Sequence, residues 1–123
     1  MQSSDPRTRA GNVDRIEERH VGRRGVVSFA GELDGANVSM LDAALSRALD
    51  RGLAEVWLDL CETTFMDSAG VHLLLRAHKT LARLNRRFVV ICPEGAVMRV
   101  LVLTDVARVL ELYDDRSAAH RAA

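Results

Sequence analysis

The sequence has no excess of either charge: Lys plus Arg and Asp plus Glu each number 17 in 123 residues. The sequence-independent attraction by which basic proteins hold nucleic acid or an anionic membrane is therefore missing, and direct nucleic-acid binding is disfavoured. Lysine is nearly absent, with Lys79 alone and arginine used elsewhere; the bias fits a GC-rich genome and carries no functional reading. Cysteine is scarce too. Cys61 and Cys92 lack the close paired spacing of a zinc or thioredoxin-like site, so they read as buried free thiols, with a disulfide as the alternative. No run approaches the roughly 20 apolar residues of a membrane span, and the stretch from Met1 to Pro6 lacks the apolar core of a secretory signal. A cytoplasmic protein without a membrane partner is expected. There is no glycine-rich phosphate loop, and no nucleophile has a base at a fixed sequence spacing. His72 and His78 stand off the four-residue helical spacing that would put both on one metal, and His20 and His120 lie in weakly patterned ends. The expectation is no catalytic residue, no metal and no cofactor.

What is present is an ordinary globular composition, about half apolar and about a quarter charged. The length suits one domain: residues 1–10 read as a polar leader and residues 11–123 as a single domain. Asn12 to Glu18 is weakly patterned and suggests a short edge strand, followed by a turn over Gly22-Arg23-Arg24-Gly25. Val26 to Gly31 is β-branched and apolar, as in a strand. Asp34-Gly35 then supplies a cap and bend before a helix from Ala36 to Asp50, which Gly52 stops. A second strand covers Val56 to Leu60, Cys61 to Asp67 reads as a loop, and a longer amphipathic helix follows. Its inward positions are Val71, Leu74, Leu75, His78, Leu81 and Ala82, and Arg83, Arg86 and Arg87 cluster near its C-terminal end, where cations complement the helix dipole. Phe88 to Cys92 reads as a strand buried on both faces, Ala96 to Leu103 as a third helix, Val109 to Leu112 as a last strand and Ser117 to Ala122 as a final helical turn. The alternation implies an α/β fold: a mixed sheet with a parallel centre and an antiparallel N-terminal edge, with helices packed on it.

The informative stretch is Phe65-Met66-Asp67-Ser68-Ala69-Gly70, which runs into the start of a helix. Partners and ligands of α/β sheets meet the C-terminal ends of the strands, and a hydroxyl at a helix N-terminus faces free backbone N–H groups that tolerate a phosphate. From composition alone the simpler reading is that Asp67 and Ser68 merely cap the helix. Order and spacing add more. Gly31-Glu32-Leu33-Asp34, then Val56-Trp57-Leu58-Asp59-Leu60, then Phe65-Met66-Asp67-Ser68-Ala69-Gly70-Val71 resemble the ordered signature of the STAS domain family, in particular its bacterial anti-sigma factor antagonists, over roughly Val26 to Ala119.

The resemblance implies a phosphoacceptor serine at Ser68 and a partner-docking surface drawn from Asp34, Met66, Asp67, Ser68, Ala69, Gly70, Val71 and His72. It implies an anti-sigma factor with serine kinase activity as partner, bound when Ser68 is unphosphorylated so that a sigma factor is freed, and a phosphatase that acts on phospho-Ser68. A STAS module that is never phosphorylated, serving as a scaffold or ligand sensor in a larger assembly, is the alternative. Two departures stand out: Ala69 occupies a position where a second hydroxyl is common, leaving one acceptor, and His72 stands where glycine is common, adding bulk beside the docking surface.

Overall fold

The structure is a computed structural model and describes residues 14–123. The expected leader, and Asn12 and Val13 of the expected edge strand, lie outside the described residues. A hairpin opens the fold: β1 (Arg15–Val21) turns through Gly22-Arg23 into β2 (Arg24–Leu33), antiparallel to it. The turn is thus narrower than expected, because Arg24 and Gly25 already pair within the sheet. Next come α1 (Val38–Asp50), β3 (Glu55–Asp59), β4 (Thr63–Met66), α2 (Ser68–Arg83) and β5 (Arg87–Ile91). The chain closes with α3 (Ala96–Leu103), a 3-10 turn at Val106–Arg108, β6 (Glu111–Tyr113) and α4 (Arg116–Ala122). The strand order is β1-β2-β3-β5-β6, and every pairing after the first is parallel.

β4 corrects the expected loop from Cys61 to Asp67. The long strand β2 pairs with β3 over Arg24 to Ser28 and with β4 over Gly31 to Leu33, so β4 continues the line of β3 after a jog. The jog is held by side chain and backbone together: Thr63 Oγ1 donates to the Phe29 carbonyl at 2.7 Å, and Gly31 N donates to the Glu62 carbonyl at 3.1 Å. Register shifts at Gly31, whose φ of +117° is one that L side chains rarely adopt. A Cβ there would also collide with the Asp14 carboxylate, so the position has two independent reasons to be glycine.

One face of the sheet packs against α1 and α2 through Val27, Phe29, Leu33, Leu58, Val90 and their neighbours. The other face carries Val26, Trp57, Val89 and Ile91, covered by Ala119 of α4. β5 feeds both layers in alternation, as expected for a strand buried on both faces. In α2, Val71, Leu74 and Leu81 are buried and Leu75 and His78 half-buried, but Ala82 is exposed and Leu73 is buried instead. The basic cluster also separates. Arg87 belongs to β5 and pairs with Glu111 and Glu55, while Arg86 Nη1 reaches the Leu49 carbonyl at the end of α1, 2.8 Å away. The last strand lies slightly later in the chain than its apolar run suggests, because Leu110 packs into the core just before it.

Candidate functional site at the strand exits

Asp67 N donates to the Leu33 carbonyl at 3.2 Å, which ties the exit of β4 to the exit of β2 and brings the loop after Leu33 beside the start of α2. That loop is organised by Asp34. Its Oδ1 accepts from Ala36 N at 3.0 Å, and its carbonyl accepts from Asn37 N and Val38 N at 3.2 and 2.9 Å. Asn37, which the sequence reading passed over, is buried at 2% exposure and anchors the loop from inside. Its Oδ1 accepts from Asp34 N at 3.0 Å, and its Nδ2 donates to the Glu32 carbonyl at 2.6 Å and to Asp14 Oδ2 at 2.7 Å. The helix accordingly begins at Val38, two residues later than Ala36. An asparagine three residues beyond an exit aspartate was the available signal, since each can satisfy the other's turn.

Asp67 and Ser68 have different tasks. Asp67 is the N-cap of α2, extended at φ −105° and ψ −169°, and its side chain accepts from Ala69 N at 2.9 Å. Ser68 is the first helical residue, is exposed, and makes no side-chain hydrogen bond among the described residues. Of the two residues read as capping the helix, Asp67 is the cap, and the Ser68 hydroxyl is left facing solvent beside the free N–H groups of the first turn.

The structure divides the remaining candidate residues. Met66 at 2%, Val71 at 6% and Gly70 are buried, Asp34, Asp67 and Ala69 are half-buried, and His72 is exposed. A Cβ at Gly70 would lie 2.6 Å from Met66 Cγ and 3.1 Å from Leu33 Cδ2. Gly70 is therefore small so that α2 can sit on the sheet. Phe65, by contrast, is 46% exposed and stands three residues before Ser68, and Met40 is 54% exposed in the first turn of α1. Both are apolar side chains left largely exposed at the strand-exit end.

Both thiols are free; burial, aided by Asp59, pushes Cys61 up to about 12, and burial pushes Cys92 up to about 11. Asp59 is almost fully buried below the exits. Burial raises its pKa, but the bonds from Arg116 Nε at 2.5 Å and Cys61 N at 2.9 Å outweigh this and hold it below the ordinary carboxylate value. No three His, Cys, Asp or Glu side chains converge as a metal site among the described residues, and no helix there is long and apolar enough to cross a membrane.

Residues 15–119 match the STAS domain. The chain belongs to the STAS domain family. Among solved structures it is similar to an anti-sigma factor antagonist from Mycobacterium paratuberculosis, with a TM-score of 0.83 and 23% identity over 92% of this chain and 96% of that one. It is also similar to the Bacillus cell fate determinant SpoIIAA in its phosphorylated form, with a TM-score of 0.67 and 23% identity over 89% of this chain and all of that one. SpoIIAA in its unphosphorylated form, an anti-sigma factor antagonist, gives the same TM-score and identity over 88% and 96% of the two chains. At these identities the likeness establishes a shared STAS fold, mixed α/β with the antiparallel edge at β1 and β2.

Proposed function

We propose that this STAS chain, with residues 11–123 acting as one domain, is an anti-sigma factor antagonist that works by docking rather than by catalysis. Unphosphorylated, it binds an anti-sigma factor with serine kinase activity and so frees a sigma factor; phosphorylation of Ser68 switches it off, and a phosphatase resets it. The observation that carries this reading is the exposed Ser68 hydroxyl on the first turn of α2, relieved of any capping task by Asp67. A kinase can reach it without unfolding the helix. The kinase supplies the nucleotide, the metal and the base, and this chain supplies the acceptor hydroxyl and the surface around it.

The docking surface of this proposal is Asp34, Ser68, Ala69 and His72, flanked by Phe65 and Met40, with Asp67 shaping it from the cap. Met66, Gly70 and Val71 support it from beneath. An aromatic and a thioether beside a small, polar loop give the apolar anchors that interfaces concentrate their energy on. The test is incubation with the cognate kinase and ATP, followed by intact mass and peptide mapping of wild type and Ser68→Ala. One added phosphate on Ser68, absent from the variant, is expected. Phosphate on Thr63, Thr64 or Ser39, or phosphorylation that persists in Ser68→Ala, contradicts the assignment, and no phosphorylation at all favours a scaffold or ligand-sensing STAS module.

A further inference from the structure

The neutral chain segregates its charge between the two ends of the sheet. The loops that follow β2, β3, β4, β5 and β6 hold Asp34, Glu62, Asp67, Glu94, Asp114 and Asp115, and no lysine or arginine. The loops that lead into β2, β3 and β5 hold Arg23, Arg51 and Arg86 and no acid, while the loop into β6 balances Asp105 against Arg108. Hydrogen bonds lay these three loops side by side. Ala54 N donates to the Arg23 carbonyl at 2.9 Å, Arg87 N donates to the Ala54 carbonyl at 3.1 Å, and Arg86 reaches the end of α1 at Leu49. Lys79 and Arg83 add to the same end from the last turns of α2, and Arg23, Arg51, Lys79 and Arg83 are all exposed. Helix dipoles account for Arg51 and Arg83 at helix C-termini and for Asp67 at an N-terminus. They do not reach Arg23, in a strand turn; Glu62, between two strands, is paired with Arg15 at 3.0 Å, so the acidic end rests mainly on Asp34, Asp67, Glu94, Asp114 and Asp115.

We propose that the basic end of one copy docks on the acidic end of a second copy, head to tail along the strand axis. Complementary charge is the basis: the acidic surface that matches the basic end is the chain's own opposite end. Because the two patches cap opposite ends of the same parallel strands, one molecule can use both at once, and such a heterologous contact extends into rows rather than closing as a two-fold dimer. The acidic end includes Asp67 and lies beside Ser68, so a docked copy covers the surface proposed above for the anti-sigma factor, and self-association competes with partner binding. The inference does not depend on Ser68 being phosphorylated. Exposed charges act over about 30 Å at ~10 mM salt and about 8 Å at ~150 mM, so the contact is salt-sensitive.

Sedimentation velocity on the full chain, over a concentration series at ~10 mM and ~300 mM salt, tests this. The weight-average sedimentation coefficient is expected to rise with concentration at low salt and to return to the monomer value at high salt. Arg23→Glu combined with Arg51→Glu loses the rise, and so does Glu94→Lys combined with Asp114→Lys, with circular dichroism confirming that both stay folded. Mixing the two variants restores association, because the unaltered acidic end of the first then meets the unaltered basic end of the second. A monomer at every concentration in low salt overturns the proposal, as does association that survives charge reversal at either end. Binding of a mixed-sequence DNA duplex by the basic end of a protein that does not self-associate overturns it as well.

Discussion

Replacing Gly70 with alanine sets two effects of known sign against each other. Alanine in place of glycine inside a helix is intrinsically worth about 0.8–1 kcal/mol of stability. Here the added methyl would stand 2.6 Å from Met66 Cγ and 3.1 Å from Leu33 Cδ2, inside contact distance of two side chains that are themselves at most 2% exposed. Neither can move into solvent, so the helix start must lift or the core must shift, an overpacking cost of about 1–3 kcal/mol. Overpacking wins, and the net expectation is a loss of up to about 2 kcal/mol. At about 4 °C per kcal/mol for a domain of this size, the melting temperature should fall by several degrees and at most about 8 °C. Gly35→Ala is the control, because a Cβ there meets nothing within 4 Å, and it should stay within about 0.5 kcal/mol of wild type. Thermal melts of the three proteins decide. A Gly70→Ala variant more stable than wild type, by the roughly 0.8–1 kcal/mol that helix propensity alone would give, would refute the seating of α2 on Leu33 and Met66.

The division of labour at the start of α2 predicts that Asp67→Ala costs about 1 kcal/mol through the lost cap, whereas Ser68→Ala changes stability by less than about 0.5 kcal/mol; chemical denaturation of both variants checks it. Asp59, held below its ordinary value when folded, stabilises the fold above the unfolded value near 3.8, and this stabilisation is lost as pH falls through the lower folded value. Stability measured from pH 6 down to pH 2 should therefore drop more steeply in wild type than in Asp59→Asn, and equal slopes would remove Asp59 from the acid transition. Thr63→Val should cost about 1 kcal/mol by leaving the Phe29 carbonyl without its side-chain donor in a buried jog, a loss that urea unfolding would register.

Most of the architecture was legible because it rests on periodicity. α1 and α2 repeat apolar residues at helical spacing, and the continuous apolar run of β5 requires burial on both faces. β4 was not legible. Its four residues alternate neither in polarity nor in burial, and it exists because the last residues of β2 extend past β3 and need a partner, a tertiary cause that local pattern does not carry. The exposure of Ala82 and burial of Leu73 have a similar origin: the face of a helix is set by what it packs on, and two neighbouring leucines cannot be ranked by spacing alone. At the candidate site, sequence located the Asp67-Ser68 pair but not its roles. Which residue caps depends on backbone angles that only the folded loop displays, and the inward turn of Gly70 depends on Leu33, which is remote in sequence.

The central claim is that Ser68 gates docking without holding the fold together. A phosphate there adds close to two negative charges at a helix N-terminus, where the dipole favours them by about 0.3–1 kcal/mol, so the fold should survive. In a complex the same charge must be desolvated beside Asp67, at a cost of about 2–5 kcal/mol, roughly a 30-fold to several-thousand-fold loss of affinity. The most direct measurement is a binding titration against the anti-sigma factor and a thermal melt, run on one phosphorylated sample and its unmodified parent. The account predicts affinity weakened by at least about 30-fold with a nearly unchanged melting temperature. Unchanged affinity would contradict the gating role of Ser68, and a large fall in melting temperature would show that phosphorylation acts by unfolding the site.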